Sequence, residues 1–178
     1  LAGMAITPDA SGQVAILSRT LLSRPNVAKI IRKSDLDTSA RATADSLVDD
    51  VSGYDDIVML RDIDVESHCE HHMAPFLGTA CVAYMPTEKV VGISKLARVV
   101  EIFAKRLQTQ ETMTSQILHA IQDSLNPHGV AVLIDAKHEC MTTRGVHHPN
   151  VSTITTQFTG VFKTDQELRE RFLRLAGR

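Results

Sequence analysis

The chain has 178 residues, 43% of them hydrophobic, and a formal net charge of −2, which suits one folded core and argues against broad attraction to nucleic acid or an acidic membrane. No apolar run approaches the roughly 20 residues of a membrane span, and Leu1-Ala2-Gly3-Met4 opens no signal-peptide pattern. Three cysteines cannot all pair within one chain, and reduced thiols are expected of a cytoplasmic protein.

Residues 1–56 read as a polar, helical N-terminal region. Ser11 is placed to cap a stretch in which Val14, Leu17 and Leu21 recur at helical spacing, and a second amphipathic piece runs from about Thr38 to Val51. The period then changes, and residues 57–178 read as one further domain. Ile57–Glu66 alternates as a strand should, with Ile57, Met59, Ile63 and Val65 on one side, and Leu77–Met85 is a second strand stopped by Pro86. Ser94 is expected to open a helix carrying Leu96, Val99, Val100, Phe103 and Leu107 on one face, with Glu101 and Lys105 as an i,i+4 pair. A second helix carries Met113, Ile117, Ile121 and Leu125, and Asn126-Pro127-His128-Gly129 ends it. Val130–Ala136 is a buried strand, and the Thr-rich stretch Val151–Phe162 is prone to form another. Thr164-Asp165-Gln166-Glu167 reads as a capping box before a terminal helix with Leu168, Phe172 and Leu175. The order β-β-α-α-β-β predicts an α+β fold with an antiparallel sheet and both central helices on one face. Self-association into a ring would cover the other face and remove sheet edges.

Chemistry concentrates in Cys69-Glu70-His71-His72 and His138-Glu139-Cys140, which hold two of the three cysteines. Cys69 and His72 form a C-x-x-H pair, and Cys140 is placed to complete a Cys₂His zinc set with an open fourth position. Glu70, His71 or His138 as a fourth ligand would make the site structural instead. His71 and His138 read either as proton carriers or as support for the metal's ligands. Ser94, Lys95 and Arg98 at a helix start, with Arg144 beyond Cys140, suit an anion such as a phosphorylated substrate; an ordinary solvated helix start is the plainer reading. Gln110-Glu111 opens the second helix, where an acidic residue is favourable in any case, although a carboxylate there also suits the N1–H and 2-amino edge of guanine. Cys81, in mid-strand, is expected to be core, and His147-His148-Pro149 an exposed loop.

Three stretches in order, SHCEHHMAPFLG (67–78), VVGISKLARVVEIFAKRLQTQETMTSQI (90–117) and HECMTTRGV (138–146), resemble GTP cyclohydrolase I. The resemblance covers the chain from about Ile57 to its end. It implies the tunnelling fold, whose unit is the β-β-α-α-β-β order above, and a homodecamer with active sites at subunit interfaces. It implies Cys69, His72 and Cys140 as zinc ligands and His71 and His138 as catalytic histidines. It further implies Glu111, with Gln110 beside it, at the guanine, and Ser94, Lys95, Arg98 and Arg144 around the ribose and triphosphate. The implied reaction turns GTP and water into formate and 7,8-dihydroneopterin triphosphate, at the head of folate or tetrahydrobiopterin synthesis. In two respects the chain departs from the family: Tyr54-Asp55 follows Gly53 directly, where the family carries a longer stretch, and Asn26–Arg41 matches the family poorly. A zinc base deaminase would need an H-x-E and P-C-x-x-C signature, which is absent. A zinc-stabilised oligomeric scaffold without turnover is the alternative of a different class.

Overall fold

The alternation of β2 (Val58–Cys69) breaks once, and that break decides which residues face the core. The computed structural model describes residues 48–50 and 53–178, so the helical stretch read around Ser11–Leu21 lies outside the described residues. Of the amphipathic piece read over 38–51, Val48–Asp50 is described, and it is a strand, β1, rather than helix. It pairs antiparallel with β4 (Lys89–Val91), a tertiary pairing that overrides local helical spacing.

β2 pairs antiparallel with β3 (Pro75–Met85), and the register shifts between Leu60 and Ile63. Asp62 sits in the shift with a φ of 58°, the left-handed conformation a bulge residue adopts. Facing therefore switches parity along the strand. Val58, Leu60, Ile63 and Val65 share one hydrophobic cluster, while Ile57 and Met59 belong to another on the opposite face. The expected single row of Ile57, Met59, Ile63 and Val65 is corrected by this bulge.

The main sheet runs β5-β2-β3-β6-β7, with β5 (Leu107–Gln108) parallel to β2 and the other pairs antiparallel. β6 spans Gly129–His138 and β7 spans Thr153–Phe158. β3 and β6 are central and buried on both faces: Ala80, Val82, Val132 and Ile134 serve one cluster, and Cys81, Ala83, Ala131 and Leu133 the other. Burial of the Cys81 thiol raises its pKa, as for an inert core cysteine.

The first face is covered by α1 (Ile93–Ala104) and α2 (Gln110–Leu125), as the order of elements predicts. α1 starts one residue before Ser94, with Gly92 as N-cap and no side-chain capping bond. Leu107 lies beyond the helix in β5, and Lys105 reaches Glu66 Oε2 at 3.0 Å rather than pairing with Glu101. Thr109 caps α2, its hydroxyl accepting from Thr112 N at 3.1 Å, and Asn126 closes it in the left-handed conformation.

The second face is covered at one end by the short helix α4 (Val161–Thr164) and by α5 (Gln166–Leu175), whose Phe162 and Phe172 are fully buried. Asp165, not Thr164, caps α5, accepting from Leu168 N at 3.1 Å. Arg171 donates to both carboxylate oxygens of Asp56 at 2.8 Å, tying α5 to the start of β2. At the other end of this face Asp64, Glu66, His68, Leu77, Lys137 and Ile154 remain exposed in the single chain.

β3 and β6 approach each other closely at Gly78. A Cβ there would lie 2.5 Å from Ala136 Cα and press on the carbonyl oxygen of Asp135, neither of which can rotate away. Gly78→Ala is expected to cost about 3 kcal/mol, read as a lower urea midpoint at unchanged slope.

Candidate metal centre

Three strand ends meet at one edge of the sheet. β2 closes on Cys69, which turns tightly back into β3. Met73 N donates to Cys69 O at 2.8 Å and Cys69 N to Ala74 O at 2.9 Å, with Met73 left-handed at φ 51°. The C-x-x-H spacing brings His72 Nδ1 to 3.7 Å from Cys69 Sγ. β6 pairs His138 opposite Phe76, and the rings stack at 4.6 Å and 9°. The chain then turns through α3 (Glu139–Thr142), which folds Cys140 back toward Cys69.

One ligand atom each from Cys69, His138 and Cys140 lies within 4.8 Å of the others. Ligand atoms around tetrahedral zinc are about 3.5–3.8 Å apart, so a small contraction would close these three on an ion. Two thiols and an imidazole form a borderline-soft donor set that suits zinc. The thiol of Cys140 has its pKa raised, first by burial and then by the nearby Cys69. A cation would relieve both effects.

His138 also has its ordinary pKa shifted. Burial lowers it, the Glu111 carboxylate opposes that, and His72 adds to the lowering. The neutral ring, a proton acceptor, is therefore favoured near neutral pH. Its Nε2 lies 2.9 Å from Oε1 of the buried Gln110. Glu111, next along α2, is exposed, as is His71, whose ring meets that of His72 edge-on at 6.2 Å. Arg144 Nη2 donates to His72 O at 2.9 Å.

Ser94, Lys95 and Arg98 are not brought to this edge. They lie in the first two turns of α1, just after Val91, whose N–H donates to the hydroxyl of Tyr84 at 3.1 Å. Tyr84 is eight residues along β3 from Phe76, roughly 26 Å at the usual strand rise. The remaining contacts around His138, namely Phe76 beneath it and the threonines of α2 and β7 around Gln110, went unread in the sequence. Thr114 and Thr155 carry no motif: Thr114 lies one helical turn beyond Gln110 in α2, and the β6–β7 pairing brings Thr155 to it.

Removing either thiol should empty the centre. Zinc per chain is expected to fall well below one in Cys69→Ala and Cys140→Ala and to stay unchanged in Cys81→Ala, read by elemental analysis after dialysis. Because the Cys140 pKa is raised, its thiol is protonated at neutral pH and must lose that proton to bind. Zinc affinity is therefore expected to rise with pH through the neutral range, by up to about tenfold per unit for each proton displaced. A flat profile would show that Cys140 is not a ligand.

The profile of the family described as GTP cyclohydrolase I matches residues 22–177. A GTP cyclohydrolase 1 of Maricaulis maris is 69% identical over 130 residues, which cover 73% of this chain and 63% of that protein. One from Hyphomonas neptunium is 72% identical over 129 residues, covering 72% and 63%. One from Pelagibacter ubique is 59% identical over 125 residues, covering 70% and 62%. The matched region thus spans a little under two thirds of the length of these relatives. Matched over nearly its whole length by the family profile and closely similar to these enzymes, the chain belongs to the GTP cyclohydrolase I family.

Proposed function

We propose that this protein hydrolyses GTP at purine C8 and rearranges it to 7,8-dihydroneopterin triphosphate, releasing formate. The observation that carries this reading is the gathering of Cys69, Cys140 and His138 beside the first turn of α2, where Glu111 is exposed. Cys69, His72 and Cys140 are the proposed zinc ligands, supported by the short Cys69–His72 separation. When bound, zinc supplies Lewis acidity and makes a neighbouring water more acidic.

The chain's own groups do the rest. His138, held neutral by burial, is suited to accept a proton as the imidazole ring of the purine is attacked and opened. His71, at the exposed rim, is the second proton carrier. The Glu111 carboxylate accepts from guanine N1–H and the 2-amino group and holds the base still while the ribose rearranges. Gln110 lies beside it, but its side chain is spent inside the protein, so any contact with the base runs through its backbone. Arg144 offers a cation near the metal, while Ser94, Lys95 and Arg98 offer an anion site at the far end of the sheet. Within one chain the two ends cannot hold one nucleotide. A homo-oligomer, a decamer on the family's pattern, joins the metal end of one chain to the anion end of another.

No helix among the described residues is long and apolar enough to cross a membrane. The free, metal-suited thiols support a cytoplasmic setting, and the family supports an enzyme of pterin synthesis, toward folate or tetrahydrobiopterin.

Incubating the zinc-loaded protein with GTP should give formate and, after oxidation, neopterin in equal amounts. His138→Ala should lower the rate by at least about a hundredfold. Neither product from a folded, zinc-containing oligomer would leave a scaffold as the reading. Lys95→Ala and Cys140→Ala, each nearly inactive alone, should regain part of the activity when unfolded together and co-assembled. No recovery in mixed oligomers would place both residues in the same chain's site.

A further inference from the structure

Gln110 is 1% exposed and hydrogen-bonded at both ends of its amide. Its nitrogen lies 3.1 Å from Ile134 O, 2.9 Å from Thr153 O and 3.1 Å from Thr155 Oγ1. Two of these partners are peptide carbonyls, which only accept, so the nitrogen end of the amide must face them. The third is committed as well. Thr114 donates its proton to Gln110 O at 2.8 Å, so the 2.7 Å contact between Thr114 and Thr155 takes its proton from Thr155. Thr155 is then left to accept from Gln110. Turning the amide over would set its oxygen against two carbonyl oxygens with no proton between them, in a buried place where that is costly.

With the amide so oriented, Oε1 is the atom 2.9 Å from His138 Nε2. An amide oxygen has no proton to give, so the proton in that bond belongs to the ring. We propose that Gln110 is a positioning residue that fixes His138 as its Nε2–H tautomer and leaves Nδ1 as the only lone pair of the neutral ring. Phe76, stacked on the imidazole, restrains its plane, and Gln110 restrains rotation within that plane. Nδ1 is then the one atom through which His138 takes a proton or meets a metal, and it does one or the other at a time. The tautomer rests on these hydrogen bonds alone; only its consequence for turnover rests on the cyclohydrolase reading.

Solid-state ¹⁵N NMR of the full chain labelled at histidine, with and without zinc and above the usual histidine pKa range, reads the tautomer directly. The His138 signals are those lost in His138→Asn. The expected result is a protonated Nε2 and an Nδ1 that is bare or metal-shifted. Gln110→Met, which lacks the acceptor, should give a mixture of tautomers. Gln110→Glu, buried and protonated so that its hydroxyl faces the two carbonyls while its carbonyl oxygen accepts from Nε2–H, should keep the original form. A wild-type His138 protonated at Nδ1, or an unchanged tautomer in Gln110→Met, overturns the proposal. The wild-type spectrum requires neither a folded variant nor turnover, so this failure is distinct from a failure to release formate. In turnover, Gln110→Met should lower kcat by about tenfold or more with KM within about twofold. A rise in KM at unchanged kcat would make Gln110 a substrate contact instead.

Discussion

The register of β3 against its two neighbours is the constraint from which the site follows. β3 lies between β2 and β6, pairing Ser67 with Phe76 on one side and Phe76 with His138 on the other. Those pairings set the ends of β2 and β6 at the same edge, so residues 69 and 140 meet without any sequence proximity. A slip of one residue would turn Phe76 and His138 to opposite faces and take the imidazole off its stacking partner. Gly78 helps hold the register, because only a residue without a Cβ lets β3 lie so close to β6 at Ala136.

The bulge at Arg61-Asp62 serves the same end. It lets β2 present Val58 and Leu60 to the helices before the bulge and Ile63, Val65, Ser67 and Cys69 after it. If the same residues ran as a regular strand without the bulge, the alternation that turns Val58 and Leu60 to the helices would turn Cys69 to the opposite face. A backbone irregularity about seven residues away therefore decides whether the first thiol faces the metal edge.

Much of this was legible in the chain, and the parts that were not share a cause. Spacing within one stretch carries local chemistry, so Cys69 and His72 were readable as a pair, as were the buried faces of α1 and α2. Alternation gave the strands but not the bulge, because an inserted residue leaves no mark when both parities hold apolar side chains, as Ile57, Val58, Met59 and Leu60 do. Lys105 had a sound local partner in Glu101, yet the neighbouring strand offered Glu66. The surroundings of Gln110 were beyond reach, since two of its partners are main-chain carbonyls, which every residue possesses.

The single chain also leaves two things unfinished, and they point the same way. Among the described residues, one face of the sheet is covered by α4 and α5 at one end only, with Leu77 and Ile154 exposed among Asp64, Glu66 and Lys137. The groups suited to a nucleotide are divided between opposite ends of the sheet, with Glu111, His138 and the thiols at one and Ser94, Lys95 and Arg98 at the other. Flexibility cannot bring these ends together, because they are joined by β3 and β6, the most deeply buried strands in the fold. On the proposed reading, a second copy supplies the missing half from outside. The rigidity that holds the metal edge in register is then also what makes assembly a condition for catalysis.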